Sequence, residues 1–235
     1  MKYEHIHALF WLIVFHTSCG QNQAPSNENI RSETKAIDAS SGAEDPNFHT
    51  EYEYTDSAGN YLTIQNGFPR GGSKYTDPGG EVYGYAVFWT RIINETDKSL
   101  ELQLDFSDSY QVPSLPGKYF KLMVLPDTMT LDKISLFNYG LVDLESFLDD
   151  NIHKPSGLKR IINAKESSAF YVLKLTLVSD GTSGGGDILR TGLVLKGQDL
   201  FYRVSVYNSI APPSVMSEKE IDCGSINLKN LILKK

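Results

Sequence analysis

The sequence predicts a mostly β fold, an antiparallel two-sheet β-sandwich that carries a short helical insertion. Leu100, Leu102, Leu104 and Phe106 alternate with polar residues, which is the pattern of a strand with one buried face. About eight apolar runs follow one another along the chain, separated by mostly short polar turns. Only a second layer can cover that many half-apolar strands, so a sandwich is favoured and an up-and-down β-barrel is the alternative.

Length and charge restrict the function classes. The chain has 235 residues, of which 40% are hydrophobic and 22% are charged, an ordinary globular composition. Its net charge is -7 and its pI is near 5.2. An acidic chain without a basic patch repels a phosphate backbone, so we expect no nucleic-acid partner.

The leader predicts export and a lipid anchor. Residues 1–18 have the features of a signal peptide, with an apolar run at residues 6–15 that is too short to span a bilayer. The run leads into Ser18-Cys19-Gly20, and this arrangement resembles the signal of Bacteroidetes-type bacterial lipoproteins. The resemblance implies that Cys19 is acylated and holds the protein in the outer membrane, facing the periplasm or the cell surface.

Behind the anchor, residues 19–47 are polar and nearly free of large apolar side chains, which predicts a flexible tether. The folded domain is expected at residues 48–235. It opens with a predicted hairpin at residues 50–64. Residues 66–81 hold five glycines and two prolines and predict a long loop, a kind of segment that is often functional.

The centre of the predicted domain is a long β-hairpin at residues 83–106, with a polar turn at residues 94–98. The corner sequence of residues 94–102, followed by the alternating strand, is similar to corners of immunoglobulin-like domains in bacterial surface proteins. That resemblance implies an immunoglobulin-like sandwich.

A strand at residues 118–125 is expected to end at Pro126, and the helical insertion follows at about residues 127–151. Within it, residues 143–151 place Leu144, Phe147 and Leu148 on one helical face, with Asp143 as the N-cap. Further strands are predicted at residues 169–178, 188–195, 200–207 and 226–233.

No constellation of catalytic residues emerges from the sequence. Beyond the leader the only histidines are His49 and His153, too few for a recognisable triad or a histidine-rich zinc site. Carboxylates that lie close in sequence point in different directions, as in Asp105 with Asp108 and Asp149 with Asp150. Cys223 is expected to be a small buried side chain. The sequence therefore does not support catalysis without excluding it, and a hydrolase that uses carboxylates from separate strands is an alternative.

Cofactors are likewise not expected. The glycine-rich stretch of residues 180–187 lacks the lysine and the helix start that a phosphate loop needs. Asp180 with Asp187, or residues 77–81, could contribute oxygen ligands to Ca²⁺, although neither matches an EF-hand loop. Calcium is thus the weaker alternative to no cofactor.

Four aromatic residues lie in or beside the long predicted loop and form the candidate ligand-binding site: Phe68, Tyr75, Tyr83 and Tyr85. Exposed rings in a loop could stack on sugars or anchor a protein partner, whereas cross-strand packing is the structural interpretation. The leading hypothesis is a non-catalytic cell-envelope lipoprotein that binds or scaffolds. A carbohydrate-binding module of a glycan-uptake system and a carboxylate-dependent hydrolase are the alternatives.

Overall fold

The structure, a computed structural model, describes residues 48–107, 109–113, 116–178, 188–207, 215–229 and 231–233. Two antiparallel sheets pack face to face, which confirms the predicted mostly β fold. The strands are β1 Thr50–Thr55, β2 Tyr61–Asn66, β3 Arg70–Thr76, β4 Val82–Asn94, β5 Leu100–Phe106, β6 Tyr110–Gln111, β7 Tyr119–Thr128, β8 Ser156–Ile162, β9 Ser167–Leu177, β10 Ile188–Lys196, β11 Asp199–Tyr207 and β12 Val215–Asn227.

Seven strands form one sheet in the order β1-β2-β4-β9-β7-β6, with β3 added to β4. The other sheet has five strands in the order β10-β11-β12-β5-β8. Leucine, isoleucine and phenylalanine side chains fill the space between the sheets, among them Leu62, Ile64, Ile92, Leu102, Phe170 and Leu200. None of the helices within the described ranges combines the length and apolarity needed to cross a membrane.

A helical insertion covers the outer face of the seven-stranded sheet. It consists of the 3-10 turns Leu131–Lys133 and Phe137–Gly140 and the helix α1, Leu144–Asn151. Leu144 and Leu148 of α1 are buried in a second apolar cluster with the strand residues Trp89 and Tyr171. The predicted short helical insertion is therefore present, although β7 extends to Thr128 before the first turn begins.

The predicted hairpin at residues 83–106 is wrong. Both strands exist, but β4 lies in the seven-stranded sheet and β5 in the five-stranded sheet, so the chain crosses between them. The buried Asn94 amide explains the corner, because its Nδ2 donates to the carbonyls of Lys98 and Asn163 and its Oδ1 accepts from Thr96. The alternation on β5 is confirmed, since its leucines and Phe106 are buried and its polar residues are exposed.

Four further features differ from the predictions. The long loop at residues 66–81 contains β3, an edge strand whose glycine-rich sequence lacks an apolar alternation and buries only Tyr75. The last strand was predicted at residues 226–233, whereas β12 spans Val215–Asn227, and β8 was not predicted. Pro126 does not end β7, because the strand continues through an irregular register between Val124 and Thr128.

One edge of the sandwich is closed by the side chain of Asn66. Its Oδ1 accepts the Leu193 N–H at 2.8 Å and the Thr90 hydroxyl at 2.9 Å, while its Nδ2 donates to the Leu193 carbonyl at 3.1 Å. A Cβ at Gly192 would lie 3.1 Å from Asn66 Nδ2, so the glycine permits this close approach. The amide links β2 to β10. The two sheets are curled half-barrels, a form that fits both the sandwich and the barrel alternative.

We expect Asn66→Ala to lower the free energy of unfolding by about 2–4 kcal/mol, because it leaves both the N–H and the C=O of Leu193 without partners in the core. Urea unfolding would measure the change. Gln65→Ala, next to it on β2 and facing the opposite way, is the control; it loses only a partly buried hydrogen bond to Glu51 and should cost about 0.5–1 kcal/mol. Equal losses in the two variants would contradict the role of Asn66 in closing this edge.

Lys174 is a charged side chain at an inward position. On β9 it pairs directly with Ala86 of β4 and with Leu122 of β7. It lies on the same face as the buried Phe170 and Val172, which point toward the five-stranded sheet. Burial lowers the pKa of the Lys174 ammonium to about 8. Below that pH the folded protein carries a poorly solvated charge, which destabilises it.

We expect Lys174→Met to raise the melting temperature at pH 7 by roughly 2–4 °C. The difference from the wild type should shrink as pH rises from about 8 toward 10.5, the ordinary lysine pKa. In that window the unfolded chain keeps a proton that the folded chain has released, so wild-type stability increases with pH. Lys159→Met, at an exposed position of β8, is the control. A pH-independent difference would contradict the assignment.

Candidate functional site

The candidate site is built on the hairpin of β3 and β4. Its turn at residues 77–81 is held by Asp77, whose Oδ1 accepts the Glu81 N–H at 2.7 Å and whose carbonyl accepts the Gly80 N–H at 2.9 Å. The Asp77 side chain is buried, and its Oδ2 lies 3.6 Å from Nε2 of the exposed His153. The carboxylate that sequence reasoning offered to Ca²⁺ is therefore engaged in the turn itself.

Tyr75 connects this hairpin to α1. Its hydroxyl donates to Oδ1 of Asp149 at 2.8 Å, and its ring lies 6.3 Å from the ring of Tyr83, centroid to centroid. Burial, and then the hydrogen bond to Asp149, raise the pKa of the Tyr75 hydroxyl above its ordinary value, so it remains a neutral donor. The bond fixes the position of the Asp149 carboxylate on the helix.

The turn Phe137–Gly140 is held in an unusual backbone conformation. Asn138 and Tyr139 have φ angles of 46° and 57°, and the following Gly140 has 67°. Tyr139 is buried, its ring stacks on Tyr171 at 6.0 Å, and its hydroxyl donates to the carbonyl of Phe68. Left-handed conformations of non-glycine residues persist only where surrounding contacts impose them, and the buried tyrosine supplies those contacts.

A cleft of about 520 Å³ lies between this turn, α1 and β4. Its lining residues are mostly polar: Tyr85, Asn138, Leu141, Asp143, Leu144, Glu145, Ser146 and Asp149. Asp143 was predicted to cap α1, and it occupies the N-cap position, but it has a left-handed backbone and its side chain makes no capping bond. Its carboxylate is therefore not used by the helix.

Exposed apolar side chains accompany the cleft. Phe137 and Val142 are 77% and 78% exposed and are direct chain neighbours of the lining residues Asn138, Leu141 and Asp143. Leu131 and Leu136 are also exposed in the same insertion. We call the cleft together with Leu131, Leu136, Phe137 and Val142 the insertion face. Apolar groups gathered on one part of a surface are typical of interaction sites.

A second, smaller cleft of about 340 Å³ lies at the β10 edge and is lined in part by Lys196 and Arg203. Both cations are already paired there, Lys196 with Glu220 and Arg203 with Glu218 and Glu220. Its charges are thus satisfied within the protein.

The four predicted aromatic residues do not form one exposed platform. Tyr75 and Tyr85 are buried under the insertion, and Tyr83 is half-buried with its hydroxyl donating to Glu81. Only Tyr85 lines the cleft. The half-buried Phe68 contacts the ring of His49 and lies near the Arg190 guanidinium.

Sequence reasoning missed Asn138, Asp143 and Glu145 as cleft residues. Glu145 and Asp149 are four residues apart on the predicted helix, and this spacing places two carboxylates on one helical face. That signal was available in the sequence. The left-handed turn that brings Asn138 beside them had no comparable signal.

The arrangement offers acceptors for a ligand and little for catalysis. Among the described residues no histidine or cysteine lines the cleft. Burial raises the pKa of the Cys223 thiol to about 12, and its Sγ lies 3.3 Å from the Leu200 carbonyl. The described part of the chain holds no group of three or more histidine, cysteine, aspartate or glutamate residues that could bind a metal. Cys19, Asp108 and the stretch 180–187, including Asp180 and Asp187, lie outside the described residues.

No protein-family model, no curated protein and no solved structure matches this chain.

Proposed function

We propose that this chain is a non-catalytic cell-envelope lipoprotein whose insertion face binds a partner protein. The observation that carries the proposal is the pairing of exposed Phe137 and Val142 with a polar cleft formed by their own chain neighbours. The surface is preorganised, because Tyr139 and Tyr75 fix the turn and the helix from below. Preformed surfaces lose little conformational entropy on binding.

The leader supports the location. An apolar run ends at Ser18-Cys19-Gly20, and a polar segment follows. Acylation of Cys19 would hold the domain at the outer membrane, with residues 19–47 as the tether. A tethered domain meets partners in the same membrane layer at a raised effective concentration, which favours binding or scaffolding.

A protein partner fits better than a glycan. Sugar-binding sites use open aromatic rings as stacking platforms, and the rings of Tyr75 and Tyr85 are buried. Phe137 supplies a single exposed ring on the insertion face, and the other three exposed apolar side chains there are aliphatic: Leu131, Leu136 and Val142. A glycan-binding module is therefore the less favoured alternative. The only observation that supports a carboxylate hydrolase is that Asp143, Glu145 and Asp149 line one cleft.

We expect the mature protein to begin at an acylated Cys19. Mass spectrometry of the N-terminal peptide should show the added acyl mass, and Cys19→Ala should move the protein from the membrane fraction to the soluble fraction. Ser18→Ala, beside the cysteine, is the control and should stay membrane-bound. Processing that is insensitive to globomycin, with an unmodified N-terminus, would contradict the anchor.

We expect a photoreactive p-benzoylphenylalanine in place of Phe137 to form a discrete adduct in cells of the source organism. The same replacement at Ile161, which is 69% exposed on β8, is the control and should give none. Mass spectrometry would identify the attached protein, and binding of the purified pair would confirm it. Adducts of equal yield at both positions, or none at Phe137, would contradict a binding role of the insertion face.

A further inference from the structure

The cleft of the insertion face presents hydrogen-bond acceptors with negative charge. Asp143, Glu145 and Asp149 line it, and none of its described lining residues is a lysine or arginine. Asp149 uses Oδ1 for the Tyr75 hydroxyl. The side chain of Asp143 makes no capping bond with α1. Carboxylates that remain available in this way are complementary to a donor that carries positive charge.

Asn138 forms part of the wall of this cleft. The residue is only 6% exposed, it lines the same cleft, and its Oδ1 has no hydrogen-bond partner among the described residues. That oxygen has almost no accessible surface, and a Cβ at Gly71 of β3 would lie 3.3 Å from it, so the carboxylates are the acceptors that a ligand in the cleft meets. The left-handed backbone of Asn138 and Tyr139 fixes the amide at this place.

The apolar neighbours restrict the ligand further. A free metal ion or a small polyamine would leave Phe137 and Val142 uncovered, whereas a polypeptide can place apolar side chains on both. Arginine and lysine also have apolar stems that pack along such a surface while the charged head reaches the acceptors. The planar guanidinium has five donors and can serve several acceptors together.

We propose that the insertion face binds a partner protein through a segment in which an arginine or lysine is flanked by apolar side chains. The basic head enters the cleft of Asp143, Glu145 and Asp149, and the apolar neighbours cover Phe137 and Val142. The negative net charge of the chain, -7 over its 235 residues, also steers a basic partner toward it. This inference rests on the proposed function and specifies the chemistry of its partner.

A heptapeptide array tests the inference with the purified, full-length mature protein. The central residue is arginine, lysine, citrulline or glutamate, its two neighbours are either leucine or glycine, and the outer positions are randomised. We expect retention on arginine and lysine peptides with leucine neighbours at least threefold above that on citrulline, glutamate or glycine-flanked peptides. Citrulline keeps the shape of arginine without its charge, so equal retention on citrulline would overturn the charge assignment.

Paired variants place the binding in the cleft. Glu145→Gln should reduce retention on the leucine-flanked arginine peptides about threefold to fivefold. Asp150→Asn, an equal charge change on the same helix outside the lining of the cleft, should leave it unchanged. Equal effects of the two variants would overturn the cleft as the site, and so would loss of peptide retention in 1 mM CaCl₂ at constant ionic strength. Circular dichroism would show that both variants are folded.

The outcome separates this inference from the proposed function. Adducts at position 137 together with an array that shows no preference for basic peptides would overturn the partner chemistry and leave the binding role of the insertion face. Absence of both would overturn the two together.

Discussion

Two buried asparagine side chains of the seven-stranded sheet form hydrogen bonds to the five-stranded sheet. A carboxamide carries a donor and an acceptor in one plane, so Asn66 pairs with both backbone groups of Leu193 as another strand would. Asn94 likewise bonds to backbone groups at the corner, where β4 leaves one sheet and β5 enters the other: its amide donates to the carbonyls of Lys98 and Asn163 and accepts the Thr96 N–H. Buried amides are tolerated because their polar atoms are satisfied, and each of them then specifies one arrangement of the chain.

These links use only the inner face of the seven-stranded sheet. Its outer face presents Trp89, Tyr171 and Leu173, which need a cover of their own. The insertion supplies it through Leu144 and Leu148, at the cost of a strained turn. The burial of Tyr139, its stacking on Tyr171 and its hydrogen bond to the Phe68 carbonyl offset the strain.

The strands with a one-sided apolar pattern could be predicted from the sequence, and those without it could not. β5 was predicted correctly because its leucines alternate with polar residues. The short helix was predicted correctly because Leu144 and Leu148 lie on one helical face. β3 was taken for a loop because an edge strand with Gly71 and Gly72 carries no alternation. The pairing of β4 with β5 failed for a different reason. A polar five-residue connection suits a hairpin and an inter-sheet corner equally, and only the contacts of Asn94 with distant carbonyls distinguish them.

The candidate site could not be predicted from the sequence because, like the corner, it depends on contacts between residues that are distant in the chain. Glu145 and Asp149 are readable as a pair on a helix, but their relation to Asn138 depends on a turn that Tyr139 fixes from beneath. Tyr75 and Tyr85, which the sequence suggested as ligand-binding rings, are instead buried beneath the insertion face. The two faces of the seven-stranded sheet therefore have different roles. The inner face carries the amides that link it to the other sheet, and the outer face carries the insertion. Exposed residues of the insertion can change without disturbing Asn66 or Asn94, so the domain can keep its fold while the chemistry of its binding surface varies.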